Sequence, residues 1–194
     1  MKVVIIKYNA GNIRSVSFAL ERINIQPIIT DNIEEILSAD KVIFPGVGEA
    51  STAMSYLREK RLDEAIRRLT QPVLGICLGM QLMCNSSEEG NTNCLGIFNQ
   101  KIKKFKSAQF KVPQIGWNNI FDLKTNLFDG IKEQEYQYFV HGFYAELGEN
   151  TIASTNYEIN YSSALQKNNF YGVQFHPEKS GNVGQQILQN FIKL

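Results

Sequence analysis

The five residues Gly75-Ile76-Cys77-Leu78-Gly79 constrain this chain more than any other stretch. Pro72, Val73 and Leu74 before them read as the start of a short buried strand, and the apolar run from Leu78 to Cys84 after them reads as a helix packed on a sheet. Cys77 therefore falls on a sharp strand-to-helix turn, a Gly-x-Cys-x-Gly form of the nucleophile elbow. Such a turn forces unusual dihedrals on its central residue, and the flanking residues must be small for helix and strand to approach closely. The thiol stands clear of the sheet. Free N–H groups at the start of the helix favour the thiolate and are placed to hold an oxyanion. The ordinary alternative is a structural cysteine packed between two glycines; the partners found further along the chain favour the reactive reading.

With 194 residues, 43% of them hydrophobic and 20% charged, the chain has the make-up of one globular domain with a substantial core, expected to span residues 1–194. A net charge of +1 leaves no basic excess for nucleic acid or an anionic membrane, so neither is expected as a partner. Lys101, Lys103, Lys104 and Lys106 alternate with Ile102 and Phe105 and read as a solvated strand face. The three cysteines, Cys77, Cys84 and Cys94, have no C-x-x-C spacing, which argues against a disulfide framework or a zinc site; no metal and no cofactor are expected. The first apolar run, Val3 to Ile6, is too short for a signal segment, and no run approaches twenty apolar residues. The expected location is the cytoplasm.

Along the chain, strands and helices alternate at first. A near-continuous aliphatic strand (2–8) is broken by Asn9, Ala10, Gly11 and Asn12 and followed by a helix (13–23) with a core stripe of Val16, Phe18, Ala19, Leu20 and Ile23. A short strand (26–30), a small helix capped by Asp31 or Asn32 and a third strand (41–44) come next. One long helical region is expected over 50–69, and then the elbow. Residues 85–90 read as a polar loop with Glu88 and Glu89 exposed. From Gly96 the pattern turns to short strands at 97–98, 101–105, 117–121, 138–144, 151–155, 162–166 and 170–175, before a closing helix at 183–194. The predicted fold is α/β and three-layered: a mostly parallel central sheet with helices on both faces and a strand-rich second half. Pro45-Gly46-Val47-Gly48 sits at the C-terminal end of the third strand, where open α/β sheets place their ligands.

A nucleophilic thiol needs a base, and the chain has two histidines. His141 lies inside a strand pattern. His176 follows one, and the sequence His176-Pro177-Glu178 gives it a stiff turn with a carboxylate two residues on. A Cys–His–Glu triad asks the imidazole to take and return a proton and the carboxylate to hold its tautomer.

Together, Gly75-Ile76-Cys77-Leu78-Gly79-Met80-Gln81 and Gly172-Val173-Gln174-Phe175-His176-Pro177-Glu178-Lys179-Ser180 resemble the class I glutamine amidotransferases, over the whole chain. Within that family, Pro45-Gly46-Val47-Gly48, Pro113-Gln114-Ile115-Gly116-Trp117-Asn118 and Tyr138-Phe139-Val140-His141 are similar to the glutaminase subunits of imidazole glycerol phosphate synthases. The resemblance implies Cys77 as nucleophile, His176 as proton shuttle and Glu178 as its orienting group. It implies an oxyanion hole from backbone N–H groups of Leu78 and of Val47 or Gly48. Gly46, Gln81, Glu89, His141, Gly142 and Phe143 would surround the substrate L-glutamine, and Asn12, Tyr138 and Lys179 would face the partner. That partner would be a barrel-type synthase (cyclase) subunit in a heterodimer, receiving ammonia and forming imidazole glycerol phosphate and aminoimidazole carboxamide ribonucleotide. If the resting loop points the Val47 carbonyl, and not an N–H, into the oxyanion position, one of the two donors is missing. Where the family usually starts its first loop Asp-Tyr-Gly, this chain has Lys7-Tyr8-Asn9; Gly142-Phe143 and Glu49 also depart from it, and none of these touches the triad.

Two other enzyme readings and a binding module share part of this pattern. A paralogous glutaminase feeding another synthase, such as one that amidinates a surface sugar, would keep the same triad. A related cysteine peptidase or deglycase would not need Gln81, Glu89 or the Pro-Gly-Val-Gly loop. A binding module would leave Cys77 unreactive.

Overall fold

A strand without a polar residue is stable only when both of its faces are covered. The computed structural model, which describes residues 1–9, 11–107 and 109–194, shows how the first strand meets this. In β1 (Val3–Ile6), Val4 and Ile6 enter one apolar cluster and Val3 and Ile5 enter the other, on the opposite side of the sheet. The chain continues through α1 (Ile13–Glu21), β2 (Ile28–Thr30), α2 (Ile33–Leu37), β3 (Lys41–Phe44), α3 (Ala50–Glu59), α4 (Leu62–Arg67), β4 (Val73–Ile76) and α5 (Leu78–Met83). Short strands follow: β5 (Ser86–Ser87), β6 (Thr92–Asn93), β7 (Lys101–Lys104), β8 (Gln114–Asn119), β9 (Tyr136–His141), β10 (Phe143–Ala145), β11 (Thr151–Tyr157), β12 (Ile159–Lys167) and β13 (Phe170–Val173), before α6 (Gly181–Lys193).

Among the described residues, β2, β1, β3, β4 and β13 lie side by side and parallel, in that order. β12 pairs antiparallel with β13 and begins the strand-rich half, which runs on through β10 and β7 to β5 and β6, with β11 beside β12. Helices α1 and α6 contribute Val16, Ala19, Leu20, Ile187, Leu188 and Phe191 to one cluster, and α2 to α5 contribute Ile36, Met54, Leu57, Leu62, Met80 and Met83 to the other. Helices thus cover both faces of the parallel half. Strands β8 and β9 form a separate two-stranded ribbon. Because β1 leads to β2 on one side and to β3 on the other, a crevice opens at the C-terminal ends of β1 and β3. The loops after β1, β3, β4 and β13 all converge there.

Several local expectations change. Phe18 points to solvent, 58% exposed, and the stripe of α1 is carried by Val16, Ala19 and Leu20. The single helical region over 50–69 is two helices, interrupted where Arg61 takes a positive φ of 57°. Ile97 and Phe98 are not a strand; Phe98 is buried by side-chain packing while its N–H donates to the Met83 carbonyl at the end of α5. The polar loop at 85–90 contains β5, and of the two bounds offered for α2 it is Asn32 whose side chain accepts from the Glu35 N–H at 3.1 Å. Ala10, in the break after the first strand, lies outside the described residues.

Candidate active site

Cys77 takes φ 53° and ψ −110°, a conformation that side chains with a Cβ rarely adopt, and its N–H is fixed by the Val173 carbonyl of β13 at 2.8 Å. The turn depends on small neighbours. A Cβ on Gly79 would collide with the Phe44 carbonyl oxygen at the end of β3, and one on Gly75 would meet the Met80 nitrogen at 2.8 Å. Gly172 lies beside Gly75 in register, and a Cβ there would strike the Met80 side chain, so these two glycines form the floor on which α5 rests.

His176 and Glu178 come from the turn after β13. Both are buried, and His176 Nδ1 and Glu178 Oε1 are 2.7 Å apart. The turn is held by β9: the His176 N–H donates to the Tyr138 carbonyl at 2.9 Å, and the Tyr138 N–H donates to Ser180 Oγ at 2.9 Å. Among the described residues, His176 Nε2 has no hydrogen-bond partner. Burial alone would lower the His176 pKa, but the charge of Cys77 and the hydrogen bond and charge of Glu178 outweigh it and raise the pKa. The imidazole therefore holds its proton at neutral pH.

A cavity of about 240 Å³ opens above the thiol. Of the residues expected around the substrate, Gln81, Glu89, His141, Gly142 and Phe143 line it together with Val47, Gly48, Cys77 and Leu78. Gly46 does not line it; its Cα packs against Tyr8 and Leu78, where a Cβ would have no room. Glu89, expected to be exposed, is half-buried and accepts from the Ala50 N–H of α3 at 2.8 Å. Burial raises its pKa, opposed by that N–H and reinforced by the charge of Glu49. Glu88 instead bonds the Lys104 N–H at 2.8 Å on the rim of β7. The carboxylate of Glu89 gives the cavity an anionic end suited to an ammonium group.

The N–H of Leu78, expected as an oxyanion donor, is already engaged, and from an unexpected side. The Leu78 N–H donates to the Gly46 carbonyl at 3.2 Å, while the Val47 carbonyl turns away and accepts from the Gly11 N–H at 3.3 Å. It is the Gly46 carbonyl, not that of Val47, that blocks the donor. Tyr8, buried under this loop, donates its hydroxyl to the Pro45 carbonyl at 2.6 Å.

Among the three expected partner-facing residues, Lys179 is exposed and Tyr138 is half-buried against Trp117 at 5.9 Å between ring centroids. Asn12 differs: its side-chain amide points inward and donates to Glu178 Oε1. Gln174, present in the motif around His176 but without a role expected for it, belongs to the site. It is fully buried, with Nε2 3.6 Å from Cys77 Sγ and Oε1 2.9 Å from Gln81 Nε2. The one available signal was a polar residue interrupting the apolar run that leads to His176. Among the described residues no group of His, Cys, Asp and Glu has the arrangement of a metal site, and no helix is long and apolar enough to cross a membrane.

The model of the family described as glutamine amidotransferase class-I matches residues 5–194. The chain is 55% identical over 196 residues to the imidazole glycerol phosphate synthase subunit HisH of Bacteroides fragilis (strain YCH46), covering all of both chains. It is 46% identical over 194 residues to the subunit of the same name from Haemophilus influenzae (strain ATCC 51907 / DSM 11121 / KW20 / Rd), covering 100% of this chain and 98% of that one. A solved glutamine amidotransferase superposes with a TM-score of 0.78 at 17% identity, over 100% of this chain and 98% of the other, which is a likeness of fold.

Proposed function

Because the chain belongs to the class I glutamine amidotransferases, we propose that it is the glutaminase subunit of an imidazole glycerol phosphate synthase, one glutaminase domain over residues 1–194. It hydrolyses glutamine to glutamate and ammonia, and the ammonia serves a synthase subunit in histidine biosynthesis. Relatives bearing that name along their full length support the pathway. The observation that carries the chemistry is a cysteine on a strained elbow lining a cavity, with a buried His–Glu pair 2.7 Å apart on the turn after the neighbouring strand.

Cys77 Sγ attacks the carboxamide carbon of glutamine, and the carbonyl electron pair moves onto the oxygen. The adduct collapses with rupture of the C–N bond. Protonated His176 gives its Nε2 proton to the departing nitrogen, which leaves as ammonia, and a thioester remains on Cys77. Water then attacks the thioester carbon while His176 takes its proton, the C–S bond breaks, and glutamate is released. Glu178 holds the imidazole by Nδ1 throughout. The α-ammonium of the substrate faces Glu89.

The developing oxyanion needs donors that the resting loop withholds, since Leu78 N–H is engaged by Gly46. Turning over the Gly46–Val47 peptide would remove that carbonyl and present the Val47 N–H in its place, freeing Leu78 as a second donor. Glycine at position 46 makes the rotation possible. We assign the partner as a barrel-type cyclase in a heterodimer, docking over the mouth of the site at Tyr138 and Lys179. In support, β8 and β9 continue outward from Tyr138 as an apolar face, with Ile115, Trp117 and Tyr136 65%, 55% and 56% exposed.

Reconstitution with the cyclase subunit tests this directly. Glutamine should support formation of imidazole glycerol phosphate from the phosphoribosyl-formimino aminoimidazole carboxamide nucleotide. Cys77→Ala should abolish glutamine-dependent turnover and leave ammonia-dependent turnover intact. Full glutamine-dependent turnover by Cys77→Ala would remove Cys77 as nucleophile; glutaminase activity without product from this acceptor would reassign the partner.

A further inference from the structure

We propose that Gln174 is a positioning residue of this glutaminase: its side-chain amide donates to Cys77 Sγ, and its oxygen holds Gln81 so that Gln81 Oε1 faces the substrate. The inference rests on Cys77 being the nucleophile. The Gln174 side chain is fully buried, and a buried amide is costly unless its polar atoms are paired.

Which end of each amide faces which neighbour follows from one fixed group. Phe143 offers a backbone carbonyl, an acceptor only, and Gln81 approaches it at 3.1 Å, so the NH2 end of Gln81 must lie on that side. The same NH2 lies 2.9 Å from Gln174, which must therefore present its oxygen there. That leaves the NH2 of Gln174 directed at Cys77 Sγ, 3.6 Å away and within range for a donor to sulfur. The backbone of Gln174 is itself held by its N–H on the Ser163 carbonyl at 2.8 Å. A relay thus runs from the Phe143 carbonyl through Gln81 and Gln174 to the nucleophile.

Two consequences follow. A donor to sulfur is worth more to the thiolate than to the thiol, so Gln174 favours the attacking form. With both hydrogens of the Gln81 amide engaged by Phe143 and Gln174, its remaining polar atom toward the cavity is an acceptor. Gln81 Oε1 and the Glu89 carboxylate then suit the N–H donors of glutamine rather than its carboxylate.

Alkylation of the full-length chain by iodoacetamide, followed across pH, reads the first consequence. The ionisable groups around Cys77 are His176 and Glu178 after β13, Tyr8 after β1, His141 on β9 and Glu89 in the cavity, and all are retained in the variants. In Gln174→Met and Gln174→Asn the midpoint for alkylation of Cys77 should rise by about one pH unit, the loss of a hydrogen bond to a charged group. In the reconstituted complex the KM for glutamine should rise about threefold to tenfold as Gln81 loses its anchor. An unchanged midpoint in either folded variant would overturn the proposal. A further readout needs no variant: in chain labelled with 15N-glutamine, the side-chain amide resonance of Gln174 should move with the same midpoint as alkylation, and a resonance that does not respond would also overturn it. Failure of the nucleophile assignment is separate, because it would appear as glutaminase activity that survives Cys77 alkylation.

Discussion

Two histidines of one chain are driven in opposite directions by their surroundings. His176 has a carboxylate and a thiol as partners and keeps its proton. His141 is buried among Phe105, Phe139 and Tyr161, bonds the Phe143 carbonyl through Nδ1 at 2.6 Å, and burial pushes its pKa down to about 4, against the pull of that carbonyl and with a small push from the charge of His176. In the unfolded chain this imidazole binds a proton near pH 6.5, and in the folded chain it does so only near 4, so its contribution is full above 6.5 and is lost as pH falls toward 4. Between pH 7 and pH 5 the loss from this group should be about 2 kcal/mol. Urea unfolding of the wild type and of His141→Phe at both pH values checks it: the wild type should lose more stability than the variant over that interval. Equal losses would show that His141 titrates normally in the fold.

At the scale of elements, the site depends on how closely α5 lies against the ends of β3 and β4. Adding one methyl group at Gly79 forces the Phe44 carbonyl and the first turn of α5 apart. Gly79→Ala should therefore cost about 1–3 kcal/mol or more in stability and also turn Cys77 away from His176. Thermal unfolding measures the first effect, and alkylation of Cys77 at neutral pH the second. A variant that melts normally and alkylates at the wild-type rate would show that the elbow tolerates a wider turn. The glycines around Cys77 were legible as a demand for this close approach. The identity of the opposing atom was not, because Phe44 is more than thirty residues away and only the parallel pairing of β3 with β4 brings it there.

At the scale of the molecule, the blocked donor predicts an enzyme that idles. With Leu78 N–H engaged by Gly46, a donor that we propose for the oxyanion is occupied, and the loss of one such donor lowers kcat on the order of 100- to 1000-fold. The isolated chain should hydrolyse glutamine slowly, and a liganded synthase should raise the rate by at least that factor. Steady-state glutaminase assays of the chain alone, with empty synthase and with liganded synthase, decide it; three equal rates would mean that the loop does not gate the reaction. The dependence on ligand follows only if the liganded synthase binds the turned-over loop more tightly than the blocked one. The inward Asn12–Glu178 bond and the Gly11–Val47 bond lie one residue apart in the first loop. A partner touching that loop would act on the triad and the oxyanion loop together.

Local patterning determined much of this protein. Aliphatic runs without polar breaks specify strands buried on both faces, Gly-x-Cys-x-Gly specifies an elbow, and His-Pro-Glu carries its own carboxylate because the two residues of separation are covalent. What depends on non-covalent neighbours across the sheet had no such signature. Phe18 has the spacing of a core residue and faces water, Asn12 has the look of a surface residue and holds Glu178, and Gln174 reads as an interruption of a strand and reaches the thiol. The direction of the Gly46–Val47 peptide belongs with them. A glycine permits either orientation at little cost, so the choice was left to the hydrogen bonds that Leu78, Gly11 and Tyr8 offer once the strand ends have been brought together.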